Sequence, residues 1–437
     1  MRWNRHVAVW LGCAALLGGV VAGCGDDDDG GGGTSGTTET GSTEGAKKID
    51  VASMDGAKGN VTYCTGKDTS GDLIAGVKDF NAKNPGITAK LLEFPESADE
   101  QRNQFIQRQR AKSADCDLFE SDVIWTAEFA SQKWLTDMTP YIESRKDEFI
   151  PSTLESVNFD GKFWGVPRVT DAGLLYYRTD QVSEVPSTWQ EVYADAAKKD
   201  GIVYQGAAYE GLTVDFLELA FAAGGKVLSD DGKKSEINSP ENLKALQFMA
   251  DGIKDGAAPK AVTTYMEEEA RRVFEAGRAT YERNWPYVYA LGNMKGSKVK
   301  GKFKVTPYPE FEGGGKAAIL GGHNMVISTY SKNPGAALKL IDYFTSPEVM
   351  KRAAVKYSKA PILAETYDDA AVQKALPFAQ ELKQSVEQAK SRPVSPVYTQ
   401  ISQAIYKNVN AVLSGSADPQ SALKKADDDI NKALATF

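Results

Sequence analysis

The chain has 437 residues, 42% hydrophobic and 25% charged, with a formal net charge of −8. That length holds two or three domains with real apolar cores, and the acidic balance offers no positive surface to follow a phosphate backbone, so nucleic acid is excluded as a partner. The only histidines are His6 and His323, too few for a His-cluster metal site or a His-centred triad, and neither metal nor cofactor is expected.

Arg2 and Arg5 precede the apolar run "VAVWLGCAALLGGVVAGC". The run is too short and too rich in glycine for a spanning helix and fits a signal peptide over residues 1–23. Its end, Val21-Ala22-Gly23-Cys24, resembles the bacterial lipobox. That resemblance implies acylation of Cys24 and attachment to the outer face of the cytoplasmic membrane. The tether expected over residues 24–48 has no large aliphatic side chain between 25 and 46, so it cannot bury enough surface to offset its ordering entropy. Its run Asp26–Asp29 lacks the spacing and the glutamate of a calcium loop.

From residue 49 short strands alternate with helices. "GNVTYC", "ITAKLLEF" and "CDLFESD" read as strands, "GDLIAGVKDFNAKNPG" and "ADEQRNQFIQRQRAK" as helices between them. This is the rhythm of an open, mostly parallel sheet, whose ligands sit beyond the carboxyl ends of strands. The loops there carry Asp68, Arg102 and Asp122. Cys64 and Cys116 lie in or beside these strands, either bridged or as two separate buried thiols. Ser239-Pro240, Ser395-Pro396 and Asp418-Pro419 each announce a helix, with a capping side chain before proline. The glycine-rich "EFEGGGKAAILGGHN" has neither Walker nor Rossmann spacing and reads as loop and crossover. In "YERNWPYVYALG", Pro286 forbids a helix interior, so a loop leaves the strand and exposes Trp285 and Tyr287 as amphipathic rings.

Five segments in order, "DLFESDVIWTAEFASQKWLTDMTPYI", "GVPRVTDAGLLYYRTD", "YERNWPYVYALG", "AILGGHNMVIS" and "RPVSPVYTQIS", resemble family 1 extracellular solute-binding proteins of ATP-driven sugar importers, in the trehalose/maltose-binding branch. The resemblance spans roughly residues 55 to 430. It implies an α/β fold of type II topology: two lobes, each a mostly parallel sheet flanked by helices, joined by three crossovers. These fall near Pro167–Asp171, Ile319–Gly322 and Lys359–Ile362, giving lobe 1 as 49–168 plus 321–359 and lobe 2 as 169–320 plus 360–437. The implied sugar contacts are Asp68, Arg102, Asp122, Asp171 on the lobe facing Asp122, Trp285, Tyr287, Gly322, His323 and Arg392. Asp122 and Arg392 are expected outside any core. Relatives that bind α-linked disaccharides have tyrosine where Val169 stands and tryptophan where His323 stands, so a sugar is implied but not a particular one. The expected partners are a carbohydrate and the permease subunits, with the chain a monomer. A glycosidase with Asp122 and Asp171 as its acids, or a surface sugar receptor for signalling, are the alternatives. The first is disfavoured if those acids sit on lobes that must separate.

Overall fold

A computed structural model describes residues 45–436. The expected signal peptide, Cys24 and most of the expected tether lie outside the described residues. The strands, in chain order, are β1 (Gly59–Thr65), β2 (Ile87–Glu93), β3 (Leu118–Asp122), β4 (Asn158–Phe159), β5 (Lys162–Phe163), β6 (Val166–Ala172), β7 (Leu174–Arg178), β8 (Ile202–Val203), β9 (Tyr281–Asn284), β10 (Phe303–Thr306) and β11 (Leu320–Ile327). Two sheets carry the architecture, one of five strands ordered β2-β1-β3-β11-β6 and one of four ordered β10-β7-β9-β8. Both are mixed. Parallel pairing is confined to β1 with β2 and β3 and to β8 with β9, and the remaining pairs of the two sheets are antiparallel. The expectation of mostly parallel sheets fails because β11 lies antiparallel between β3 and β6, and β7 lies antiparallel between β9 and β10.

The helix Asp72–Lys83 buries Leu73, Val77 and Phe80 and ends at Asn84, before Pro85. One apolar core, with Val61, Leu118 and Met325, packs under the five-stranded sheet. A second, with Phe105, Phe119 and Phe129, lies beside it. The four-stranded sheet has its own, holding Tyr176, Phe274, Tyr281 and Leu217. Cys64 and Cys116 form a disulfide with Cα atoms 5.8 Å apart. The tether's expected end moves inward: Lys47 Nζ donates to the Thr329 carbonyl at 2.7 Å and Lys48 pairs with Asp137.

Ser239 and Asp418 cap their helices as read from sequence. Ser395 does not. The helix there runs Tyr398–Leu413, and Ser395 Oγ accepts from Val397 N–H in the turn before it. The first crossover also shifts. Val166–Ala172 pairs with β11 in the five-stranded sheet, with a bulge at Arg168, and the chain changes sheets at Gly173. A Cβ there would lie 2.0 Å from the Tyr308 hydroxyl and 2.3 Å from Glu218 Oε1, so a side chain at the crossing would displace that buried hydrogen-bonded pair.

Candidate functional site

The ends of β3, β6 and β11 face the loop after β9 and the start of the helix Glu210–Ala222 across a cavity of about 210 Å³. Asp122, Asp171, Gly322, His323 and Asp68 line it from the first half; Trp285, Tyr287 and Arg392 line it from the second.

Strand register places the two acids. Asp122 pairs with His323 on β11, and Asp171 pairs with Gly321 on the other side of the same strand. They therefore belong to one sheet, not to facing lobes. The sequence reading erred because it ended the first half at residue 168, four residues before β6 does. Burial is the main cause raising the Asp171 carboxyl to about 6, partly offset by Lys359, His323 and two arginines. Among the described residues none donates a hydrogen bond to that carboxylate. Asp122 accepts from Ile124 N–H at 3.2 Å and, weakly, from Arg392 at 3.4 Å.

The second wall is aromatic and acidic. Trp285 is half-buried, and the Arg283 guanidinium lies 4.1 Å from its ring centre. Arg283 is itself held by Asp215 at 2.9 Å and Glu218 at 2.6 Å. Tyr287 donates its hydroxyl to Glu268 at 2.8 Å, while the Lys359 ammonium stands 5.1 Å from its ring.

Three expected contacts have other occupations. Arg102 is not on the cavity; it grips Glu128 through two guanidinium nitrogens. Arg102 projects from a helix whose cavity-facing positions are Ala98 and Gln101. Asp68 lines the cavity, yet its carboxylate takes the N–H groups of Gly71 and Ile74 and the Ser70 hydroxyl, closing the start of a helix. Arg392 is buried, contrary to expectation, donating to Glu210 at 2.7 Å and to the Leu320 carbonyl at 3.2 Å. Its charge must be paired because an uncompensated buried guanidinium is costly. Glu210 also accepts from Tyr398 at 2.6 Å and Ser402 at 2.5 Å. Val169 is buried in β6 and does not line the cavity.

Sequence reasoning missed Glu120, Arg168, Glu210, Glu267 and Lys359, all on the cavity. Arg168 is 4% exposed, bound to Glu120 and, at 3.1 Å, to Asp72. An arginine inside the apolar strand "VPRVTDA" was a legible sign of a buried partner. With Arg168 and Arg392 each paired to carboxylates, the cavity presents hydroxyl acceptors and aromatic rings together with the ammonium groups of Lys67 and Lys359.

Residues 65–351 match the model of the bacterial extracellular solute-binding protein family. A probable ABC transporter-binding protein of Deinococcus radiodurans is 37% identical over 79% of this chain and 86% of its own length. A maltotriose-binding protein of Pyrococcus abyssi is 26% identical over 73% of this chain and 70% of its own. The maltose-bound MalE3 of T. maritima superposes with a TM-score of 0.82 at 37% identity, over 86% of this chain and 99% of that one.

Proposed function

The chain belongs to the bacterial extracellular solute-binding protein family, and we propose that it is the carbohydrate-binding subunit of an ATP-driven importer, taking a short oligosaccharide between its two halves and delivering it to a membrane permease. The observation that carries the reading is the pairing across one cavity of Trp285 and Tyr287 with the carboxylates Asp122 and Asp171. A pyranose has C–H faces that lie on aromatic rings and hydroxyls that donate to charged acceptors. The sugars in the names of the Pyrococcus and T. maritima relatives support an α-glucan fragment. Asp122, Asp171, His323, Trp285 and Tyr287 are the assigned contacts, with Arg392 and Asp68 shaping the wall. Calorimetric titration of the mature protein with glucose, maltose, trehalose and maltotriose tests it, and no heat with any of the four would defeat it.

Cys24 is assigned as the acylated first residue of the mature chain. A single acyl chain anchors only marginally, so more than one is required; mass spectrometry of the native N-terminus decides. The halves are assigned as 49–172 with 320–359, and 173–319 with 360–437.

One observation favours a second reading. Asp122 and Asp171 share a sheet, and Asp171 titrates near the range of a general acid. Against turnover stands a family of binding proteins. Prolonged incubation should return maltotriose intact, and release of shorter sugars that Asp171→Asn abolishes would make the chain a glycosidase.

A further inference from the structure

Away from the cavity, polar side chains join the two halves. Thr399, 7% exposed on the helix Tyr398–Leu413, donates to Glu128 Oε2 at 3.2 Å. Glu128 lies in the helix Thr126–Ser131 of the other half and is held from behind by Arg102, whose Nε donates to the same oxygen at 2.8 Å. The side chains of Arg102 and Glu128 are 14% and 16% exposed, so water competes little for this pair. On the same helix as Arg102, Asp99 faces the backbone N–H of Glu210 and the Tyr406 hydroxyl, both from the second half. None of Asp99, Arg102, Glu128, Thr399 and Tyr406 lines the cavity.

Resting on the sugar-binding reading, we propose that Arg102, Glu128 and Thr399 form a clasp that holds the halves together, setting ligand affinity through closure and not through contact. Arg102 is then a positioning residue: it fixes the Glu128 carboxylate where the Thr399 hydroxyl meets it. The consequence is specific. If only the closed arrangement binds tightly, apparent affinity scales with the fraction closed, and a weakened clasp lowers the affinity of every ligand by one common factor. A residue touching sugar would instead change the ranking of sugars.

The variants are Thr399→Val, which removes the hydroxyl at constant shape, Glu128→Gln and Arg102→Ala. Each should weaken maltose and maltotriose by the same factor, about tenfold to a hundredfold, the range for losing a hydrogen bond to a charged group. Spin labels on cysteines replacing the exposed Ile74 and Met294, one on each half, should report a distance distribution shifted to longer separations in each variant. A changed ratio between the two sugars would make these residues ligand contacts. An unchanged distance distribution would overturn the clasp. The distance measurement needs no ligand, so wild-type protein that binds neither sugar would defeat the carbohydrate reading while the clasp is still decided.

Discussion

Trp285 is braced on one face, and that decides what its removal costs. Arg283 covers the ring from behind, and Gly321 passes so close that a Cβ there would sit 2.9 Å from the indole. Full truncation of a buried tryptophan costs about 3–5 kcal/mol; for this half-buried ring we expect about 1–2 kcal/mol in a denaturant titration of Trp285→Ala. Sugar affinity should fall more than about tenfold, since stacking on a braced ring is lost outright. A variant that loses stability but keeps its affinity would make Trp285 core. Asp171 gives a second test with a definite sign. Its folded pKa of about 6 lies above the unfolded value of about 3.9, so the folded chain binds the proton more tightly. Its stabilising contribution is complete below pH ~4 and is lost as pH rises to about 6. Asp171→Asn should therefore stabilise the protein at neutral pH, by no more than about 2 kcal/mol because the carboxyl is only half-buried. Binding runs the other way. Sugar hydroxyls donate to the ionised form, so affinity should rise through about pH 6 and then level. Calorimetry across pH 4.5–8 checks this, and a flat wild-type profile would remove Asp171 from the contact set.

At the scale of elements, β11 joins the two acids, and Gly322 is the residue that lets it do so. Its φ is 116°, and a Cβ would fall 2.2 Å from the Val169 carbonyl on β6. Gly322→Ala should cost about 1–3 kcal/mol of stability, the range for forcing extra volume into a packed site. It should also weaken sugar binding by disturbing His323 and the bulge beside it. An unchanged denaturation midpoint would refute the steric account. Local patterns made much of this layer legible. Leu73, Val77 and Phe80 announced their helix by spacing alone, and Pro286 ended β9 where a loop was needed. What the sequence hid was pairing over distance. Arg168 meets Glu120 and Asp72 from 48 and 96 positions away. Arg392 meets Glu210 across 182. A charged residue in a loop motif looks the same whether it reaches a sugar or a buried carboxylate, which is why Arg102 and Arg392 were read as ligand contacts. The strand β6 ran past its expected end because ladder pairing to β11, not residue type, sets where it stops.

For the molecule as a whole, the cavity has walls from two sheets joined only at the crossovers. Asp122 and Asp171 stand on one wall, and the rings of Trp285 and Tyr287 stand on the other beside Glu210, Glu267 and Glu268. Neither wall alone satisfies a pyranose: the first leaves its C–H face in water, and the second leaves the hydroxyls that face Asp122 and Asp171 without those acceptors. A sugar therefore gains most when both walls touch it, and a ligand shifts an equilibrium by its differential affinity for the two states. Saturating maltotriose should lower the radius of gyration measured by small-angle scattering. It should do so less in Trp285→Ala, where the second wall has lost its platform. The Asp122→Asn variant should show the complementary defect, since its carboxamide is a poorer acceptor than the ionised carboxylate. Hinge and shear closures around ligands are the established repertoire for two-lobed folds, and the location of Gly173 at one crossing puts a residue without a side chain where the bend must occur. Confirmed binding with an unchanged scattering curve would mean that the cavity is preformed. In that case the two walls would act as one rigid site, and the common-factor rule argued for the clasp would have no equilibrium to act on.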